Sequence, residues 1–473
     1  MLFPSLAFLA FFPTVLLVDL ALQRRPGPRK VFLLLASYFF YACWDWRFLG
    51  LIWASTLVDW FVGNALARTE GDRKRRWLLV ISLGVNLGLL ATFKYLNFFI
   101  ESAAAFLALF GLGPESVRTL DIILPVGISF YTFQTLSYSI DIFRGKLKPA
   151  ESFVDFALFV AFFPQLVAGP IVRARDFLPQ LKRNPGTTRE GISDGLYDII
   201  SGLFKKVVIA DTLGAGLVDP LYADPASFGA AGTLAGIYGY AFQLYGDFAG
   251  YSQIAIGVAR ILGFRLPENF RAPYIARNLA DMWARWHITL STWVRDYMFM
   301  PLGGYRRGVW FGAFNLFLTF VLMGLWHGAG WNFIAFGAYN GLVLAISTLR
   351  RKYFPQTIRK DSTNPLVALW QWGVTFNLFW IPSTIIFRAG TFDKAGEVVS
   401  GLTRLGGDPP QLTLVALVGL AALLHWRSES WNPPLRRAFV RLSPEVQGVL
   451  FGVFLGLVSS AQTGATPFIY FQF

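Results

Sequence analysis

Residues 308–349 contain no Asp, Glu, Lys or Arg. An uncharged run of 42 residues is about twice the ~20 mostly apolar residues that carry a helix across a ~30 Å hydrocarbon core. It is read as two membrane crossings joined near residues 327–330. Further apolar stretches lie at 4–20, 31–44, 48–67, 77–100, 122–140, 156–172, 226–259, 362–387, 412–426 and 446–473. These twelve candidates, of which 412–426 is short, are read as about eleven crossings, each an α-helix, because a helix satisfies its own backbone polar groups in lipid. The fold expected is an all-α polytopic membrane protein, one domain over residues 1–473, with no internal repeat.

Composition supports that class. Charged residues make up 15% of the chain and hydrophobic ones 55%, whereas soluble domains carry about 25% charged residues. Disorder, coiled coil and a disulfide scaffold are excluded. The single cysteine, Cys43, rules out an intramolecular disulfide and a cysteine-based metal cage, and it reads more readily as structural than as an acyl-carrying nucleophile. The net charge of +14 does not point to nucleic acid, because the cations fall in short bursts between apolar runs. The bursts at 24–30, 73–76 and 144–148 are each two crossings apart, which places these loops in the cytoplasm and the N-terminus outside. No basic segment precedes the first apolar run, so it does not resemble a cleaved signal peptide. Two stretches read as interfacial or re-entrant. Residues 192–208 have an amphipathic helical pattern that suits either a membrane surface or a solvated connector. Residues 263–279 are broken by Pro267 and Pro273.

There are three histidines: His287, His327 and His425. An ionisable group inside a span is costly and indicates function unless it is paired. His327 sits at the centre of the uncharged run, among Gly324, Gly328 and Gly330, which admit a ligand or another backbone. Its imidazole suits general-base work near neutrality; hydrogen bonding between helices is the structural alternative. Around His287, the spacing of Trp283, Trp286, Leu290, Trp293, Val294 and Tyr297 predicts an apolar helical stripe. Arg285, Thr289, Thr292 and Asp296 make a second line, and His287, Ser291 and Arg295 a third. Such a helix suits the wall of a wet cavity or a surface. His425 reads as an interfacial residue without chemistry. A complete G-x-S-x-G, H-E-x-x-H, P-loop and H-x-x-x-x-D are all missing, so a metal site is not expected.

The segments Trp286-His-Ile-Thr-Leu-Ser-Thr-Trp293, Arg295-Asp-Tyr297, Pro301-Leu-Gly-Gly304 and Gly324-Leu-Trp-His-Gly-Ala329 resemble the membrane-bound O-acyltransferase family. Weaker matches are Pro125–Tyr131, Ala168–Ile171, Phe204–Asp211 and Phe468–Phe473, in the family's order. Within the family, the resemblance is to the bacterial branch that serves alginate O-acetylation. It implies a multi-helix fold around a central funnel, in a bacterial inner membrane, with His327 catalytic and His287 a second active-site residue. Trp326, Trp283, Trp286, Arg285, Ser291 and Asp247 are the expected substrate-binding residues. No bound cofactor is implied. The donor would be an acyl thioester, acetyl-CoA or an acyl carrier protein, and the acceptor a hydroxyl on the outer face. A periplasmic or extracellular acetyltransferase acting on a polysaccharide is the implied partner. The sequence departs from the family pattern at Gly246, Ala249 and Gln253, and at Gln165, leaving both histidines intact. The competing reading is a proton-coupled transporter or flippase that relays protons through His287 and His327, with Asp247 as another candidate. Such a protein would commonly show repeated halves.

Cysteines introduced at Gly27 and Asp72, with Cys43 replaced by serine, should resist an impermeant thiol reagent in intact cells and react in inverted vesicles. Labelling of either in intact cells reverses the orientation.

Overall fold

The computed structural model describes residues 1, 3–112, 119–167, 169–355, 364–407 and 409–461. The regular elements among them are helices, and the chain divides into two compact units, Met1–Thr187 with Leu262–Arg265, and Thr188–Ile261 with Leu266–Phe473. Five helical runs, Pro26–Arg68, Asp72–Ala108, Val309–His327, Trp331–Tyr353 and Leu412–Val440, are long and apolar enough to cross a bilayer. The motif at 468–473 lies outside the described residues.

The first unit holds α1 (Leu6–Leu22), α2 (Pro26–Asp45), α3 (Leu49–Arg68), α4 (Asp72–Leu90), α5 (Leu96–Ala108), α6 (Ile128–Phe143), α7 (Phe153–Ala161) and α8 (Ala174–Arg183). Its polar groups lock the helices from within. Asp19 and Arg29, both buried, form a two-pronged pair, and Arg29 also donates to the carbonyl of Leu262 at 2.8 Å. Asp59 on α3 accepts hydrogen bonds from Ser82 and Asn86 of α4 and Ser139 of α6. Two of the basic bursts meet here. Arg75 donates to the carbonyls of Leu66 and Phe143, closing the last turns of α3 and α6, where the helix dipole favours a cation.

Two expected crossings take another form. Residues 156–172 are not one helix. The chain turns at Phe162 before a short helical turn at Phe163–Leu166 that carries Pro164 in its first positions, because proline has no N–H to continue the preceding helix and its ring would clash with the carbonyl four residues earlier. Residues 156–163 are wholly buried, so their apolarity marks a core segment. Within 122–140 the helix begins only at Ile128. Gly127 precedes it at φ 78°, and a Cβ there would stand 2.6 Å from the carbonyl oxygen of Leu166.

The second unit contains α9 (Arg189–Leu203), α10 (Ala230–Ile261), α11 (Leu279–Arg285), α12 (Ile288–Val294), α13 (Val309–His327), α14 (Trp331–Tyr353), α15 (Pro365–Val374), α16 (Ile381–Ala389), α17 (Leu412–Val440) and α18 (Pro444–Ala461). The amphipathic segment at 192–208 is an internal helix, neither a surface helix nor a connector. Its Gly195 and Gly202 face Gly257 and Gly250 of α10, so that backbones touch: a Cβ on Gly250 would lie 2.6 Å from the Gly202 carbonyl oxygen. Paired small residues let helices approach in this way. Two of the polar residues that gave the pattern, Asp198 and Lys206, are themselves buried and ion-paired, Asp198 with Arg260 at 2.8 Å and with Arg436, and Lys206 with Asp211 at 2.7 Å.

The hairpin expected at 308–349 is present as α13 and α14. Gly324 lies against the Phe333 carbonyl and Gly337, and Gly337 lies against the Phe320 carbonyl. The glycines admit a second backbone, and His327 ends α13 at the hairpin's turn.

Gly250→Leu should lower the melting temperature of the purified protein in detergent, since overpacking a close contact costs ~1–3 kcal/mol or more. Gly84→Leu on α4, where a Cβ meets nothing within 4 Å, should leave it unchanged. Equal melting temperatures for the two variants would contradict the close packing of α9 on α10.

Candidate active site

The stripe expected over 283–297 is interrupted. Helix α11 ends at Arg285, Trp286 is extended at φ −99° and ψ 127°, and His287 adopts φ 41° and ψ 56° before α12 begins. A left-handed conformation is uncommon for a residue with a Cβ, and it persists only where surroundings impose it. Two backbone bonds impose it here. Ile288 N–H donates to the Asn269 carbonyl at 2.9 Å, and Arg271 N–H donates to the Arg285 carbonyl at 2.9 Å. The proline-broken segment before α11 therefore holds the break open, and the His287 side chain leaves from a helix start, not from a helix face.

The structure brings the two histidine motifs together. His287 is fully buried and His327 nearly so. The Trp326 ring lies between them, with centroids 6.3 Å from His287 and 5.0 Å from His327. Phe248 closes on His287 at 4.6 Å, and Phe387 and Phe336 on His327 at 5.5 and 5.8 Å. Trp283 and Trp286 continue this wall and both pack on Trp380, at 5.7 and 4.9 Å. The indole Nε1 atoms of Trp283 and Trp380 are buried and have no hydrogen-bond partner among the described residues. A buried N–H without a partner is costly, so these two donors are open to a ligand.

Three expected substrate residues have other engagements. Arg285 bonds Asp281 at 2.9 Å and Glu429 at 2.6 Å, tying α11 to α17. The Ser291 hydroxyl donates to the Trp286 carbonyl at 3.2 Å. Asp247 on α10 pairs with Lys206 at 2.5 Å in a buried site.

His425, read as an interfacial residue without chemistry, is a packed one. It is buried, and its Nε2 accepts a hydrogen bond from the Tyr274 N–H at 3.0 Å; Tyr245 packs 4.4 Å from its ring. An apolar run ending in charges looks interfacial in sequence, whereas the packing of Tyr274 and Tyr245 encloses this position. Tyr274 stacks on Trp286 at 5.9 Å and its hydroxyl donates to the Ala241 carbonyl at 2.6 Å, so His425 supports the aromatic wall. Sequence reading also missed Asn269 and Trp380. The signal for Trp380 was an indole N–H inside an apolar run, a group that needs a partner when buried. Asn269 lay in a segment whose prolines marked it only as irregular.

On the other side of Asn269 a polar cavity of about 560 Å³ is lined by Lys205, Arg260, Arg271 and Arg436 against Asp198, Glu268 and Glu429, four cations to three carboxylates. Burial lowers the Lys205 ammonium to about 8, and its Nζ donates to Gln253. A cavity with surplus positive charge suits an anionic ligand.

The sequence profile of the membrane-bound O-acyltransferase family matches residues 146–390, which include both histidine motifs and the aromatic side chains packed on the two imidazoles. The chain belongs to that family. It is 40% identical over 429 residues to a probable alginate O-acetylase of Pseudomonas putida, covering 89% of this chain and 84% of the relative. A peptidoglycan O-acetyltransferase of Helicobacter pylori is 36% identical over 428 residues, covering 84% of this chain and 79% of the relative. A teichoic acid D-alanyltransferase of Bacillus subtilis is 33% identical over 239 residues, covering 48% of this chain and 60% of the relative.

His425→Ala should now lower thermal stability, because it leaves the buried Tyr274 N–H without an acceptor, a loss of ~1–3 kcal/mol. An unchanged melting temperature would return His425 to the surface role first expected of it.

Proposed function

We propose that this chain is a membrane O-acyltransferase that moves an acetyl group from a cytoplasmic thioester to a hydroxyl, for O-acetylation of an extracellular polysaccharide or of peptidoglycan. The observation that carries the reading is the convergence of His287 and His327 on one buried, indole-lined site. The relatives named for alginate and peptidoglycan O-acetylation support the acceptor class, and the D-alanyltransferase supports the wider theme of modifying cell-envelope polymers.

In this reading His327 takes the proton of the attacking hydroxyl as its oxygen bonds to the thioester carbon. The carbonyl oxygen gains negative charge, which the Trp283 and Trp380 N–H groups stabilise. Collapse of the tetrahedral species breaks the C–S bond, and the leaving sulfur takes the proton back from the imidazole. The cavity beyond Asn269 holds the phosphate-bearing part of the donor, acetyl-CoA or an acyl carrier protein, on its surplus cations. A periplasmic or extracellular acetyltransferase completes the transfer to the polymer. About eleven crossings in a bacterial inner membrane, with the N-terminus outside, frame this path. The whole of 1–473 works as one domain.

Purified protein in lipid nanodiscs should consume acetyl thioester with no ion gradient present. His327→Ala should lower turnover by at least the ~10²-fold typical of losing a general base while the protein stays folded. His327→Gln, whose amide hydrogen-bonds but is not a base, should be equally inactive. Full turnover by the glutamine variant would make His327 a packing residue. Thioester consumption that required a gradient would favour a transporter.

A further inference from the structure

Asn269 lies at the junction of the polar cavity and the buried histidines, and it is itself buried. Its side chain makes a directional set of contacts. Nδ2 donates to Ser252 Oγ at 3.0 Å. Oδ1 receives the backbone N–H of Thr289 at 3.3 Å and the Thr289 hydroxyl at 2.8 Å, and it stands 2.9 Å from Nδ1 of His287. A backbone N–H can only donate, so the amide atom facing Thr289 has to be the oxygen. An amide oxygen can only accept, so the His287 nitrogen facing it has to carry a proton. With Nδ1–H used in this way, neutral His287 has its lone pair on Nε2.

The partner of Asn269 is also fixed by the backbone. The Asn269 carbonyl accepts the Ile288 N–H at 2.9 Å, so main chain and side chain grip the two residues after His287 together. That grip accompanies the left-handed conformation of His287. The imidazole can neither swing on its own nor exchange tautomers without setting two acceptors, Nδ1 and Oδ1, against each other.

We propose that Asn269 is a positioning residue for acyl transfer: it holds His287 in the Nδ1–H tautomer, so that His287 enters the reaction through Nε2 as an acceptor. This rests on the acyltransferase reading above and adds a role to it. His287 in its neutral form is then excluded as the oxyanion donor, which falls to groups such as the Trp283 and Trp380 indoles. Through Nε2 it accepts a hydrogen bond during the reaction, while His327 remains the base that takes the hydroxyl proton. Ser252 acts one step further out, by fixing which way the Asn269 amide points.

The test uses the full chain in lipid. Because there are only three histidines, imidazole 15N spectra are assignable with His287→Gln and His327→Gln. Wild type should show His287 with a protonated Nδ1 and a bare Nε2. Asn269→Leu should lose that preference and lower kcat at least about tenfold while KM for the acetyl thioester changes less than about threefold, since an imidazole in the wrong tautomer presents a donor where the reaction needs an acceptor. Asn269→Asp keeps an acceptor for Nδ1–H and adds a negative charge that favours the imidazolium. It should keep the tautomer and move the acid limb of the kcat profile to higher pH, by about one unit or more.

A wild-type spectrum with the proton on Nε2 overturns the proposal, whatever the variants do. So does an Asn269→Leu protein that changes tautomer without losing turnover, or that changes neither. If the wild-type tautomer is as stated and no thioester is consumed, the acyltransferase reading fails and the hydrogen-bond assignment stands.

Discussion

A polar group buried in a membrane protein has to find its partner inside the protein, and this structure is organised around that requirement. No water is at hand to satisfy a stray N–H or carboxylate at depth. The helices are accordingly joined by buried polar contacts as well as by apolar packing. Asp19 with Arg29, Asp59 with Ser82, Asn86 and Ser139, and Lys206 with Asp211 and Asp247 each bind one segment to another. Such pairs specify one arrangement, because removing either member leaves an uncompensated group in a medium that cannot solvate it.

The site uses the same requirement in the opposite sense. His287 has one ring nitrogen committed to Asn269, and the wall around it presents indole N–H groups of Trp283 and Trp380 whose hydrogen bonds are not spent within the described residues. The rest of the wall is aromatic and buried. Donors held ready in such a place stabilise developing negative charge more strongly than they would in water, since they need no reorganisation as the charge appears. The charged cavity beyond Asn269 is separate in character.

Close backbone contact makes this geometry rigid. Gly195 and Gly202 against Gly257 and Gly250 fix α9 on α10, and Gly324 against Gly337 fixes α13 on α14. Helix α10 carries Phe248 against His287, and α13 carries Trp326 and His327. Placing an imidazole to within a fraction of an ångström requires supports of this kind, because a loosely held base loses most of its effect.

The membrane class and the helical hairpin at 308–349 were legible in the sequence. Apolar length, absence of charge and local glycine spacing are properties of short windows, and they survive without knowledge of the neighbours. The roles of 156–172, 192–208 and His425 were not legible. A segment buried in protein and one facing lipid have the same composition, and an amphipathic pattern does not say whether its polar side meets water or buried ion partners. The same limit applied to 283–297, where helical spacing was present but a backbone bond from Ile288 to Asn269 breaks the helix at His287. Sequence determined which groups were costly to bury. Only the tertiary structure decided which partners relieved that cost, because those partners lie 18 residues away for His287 and Asn269, and 151 for His425 and Tyr274.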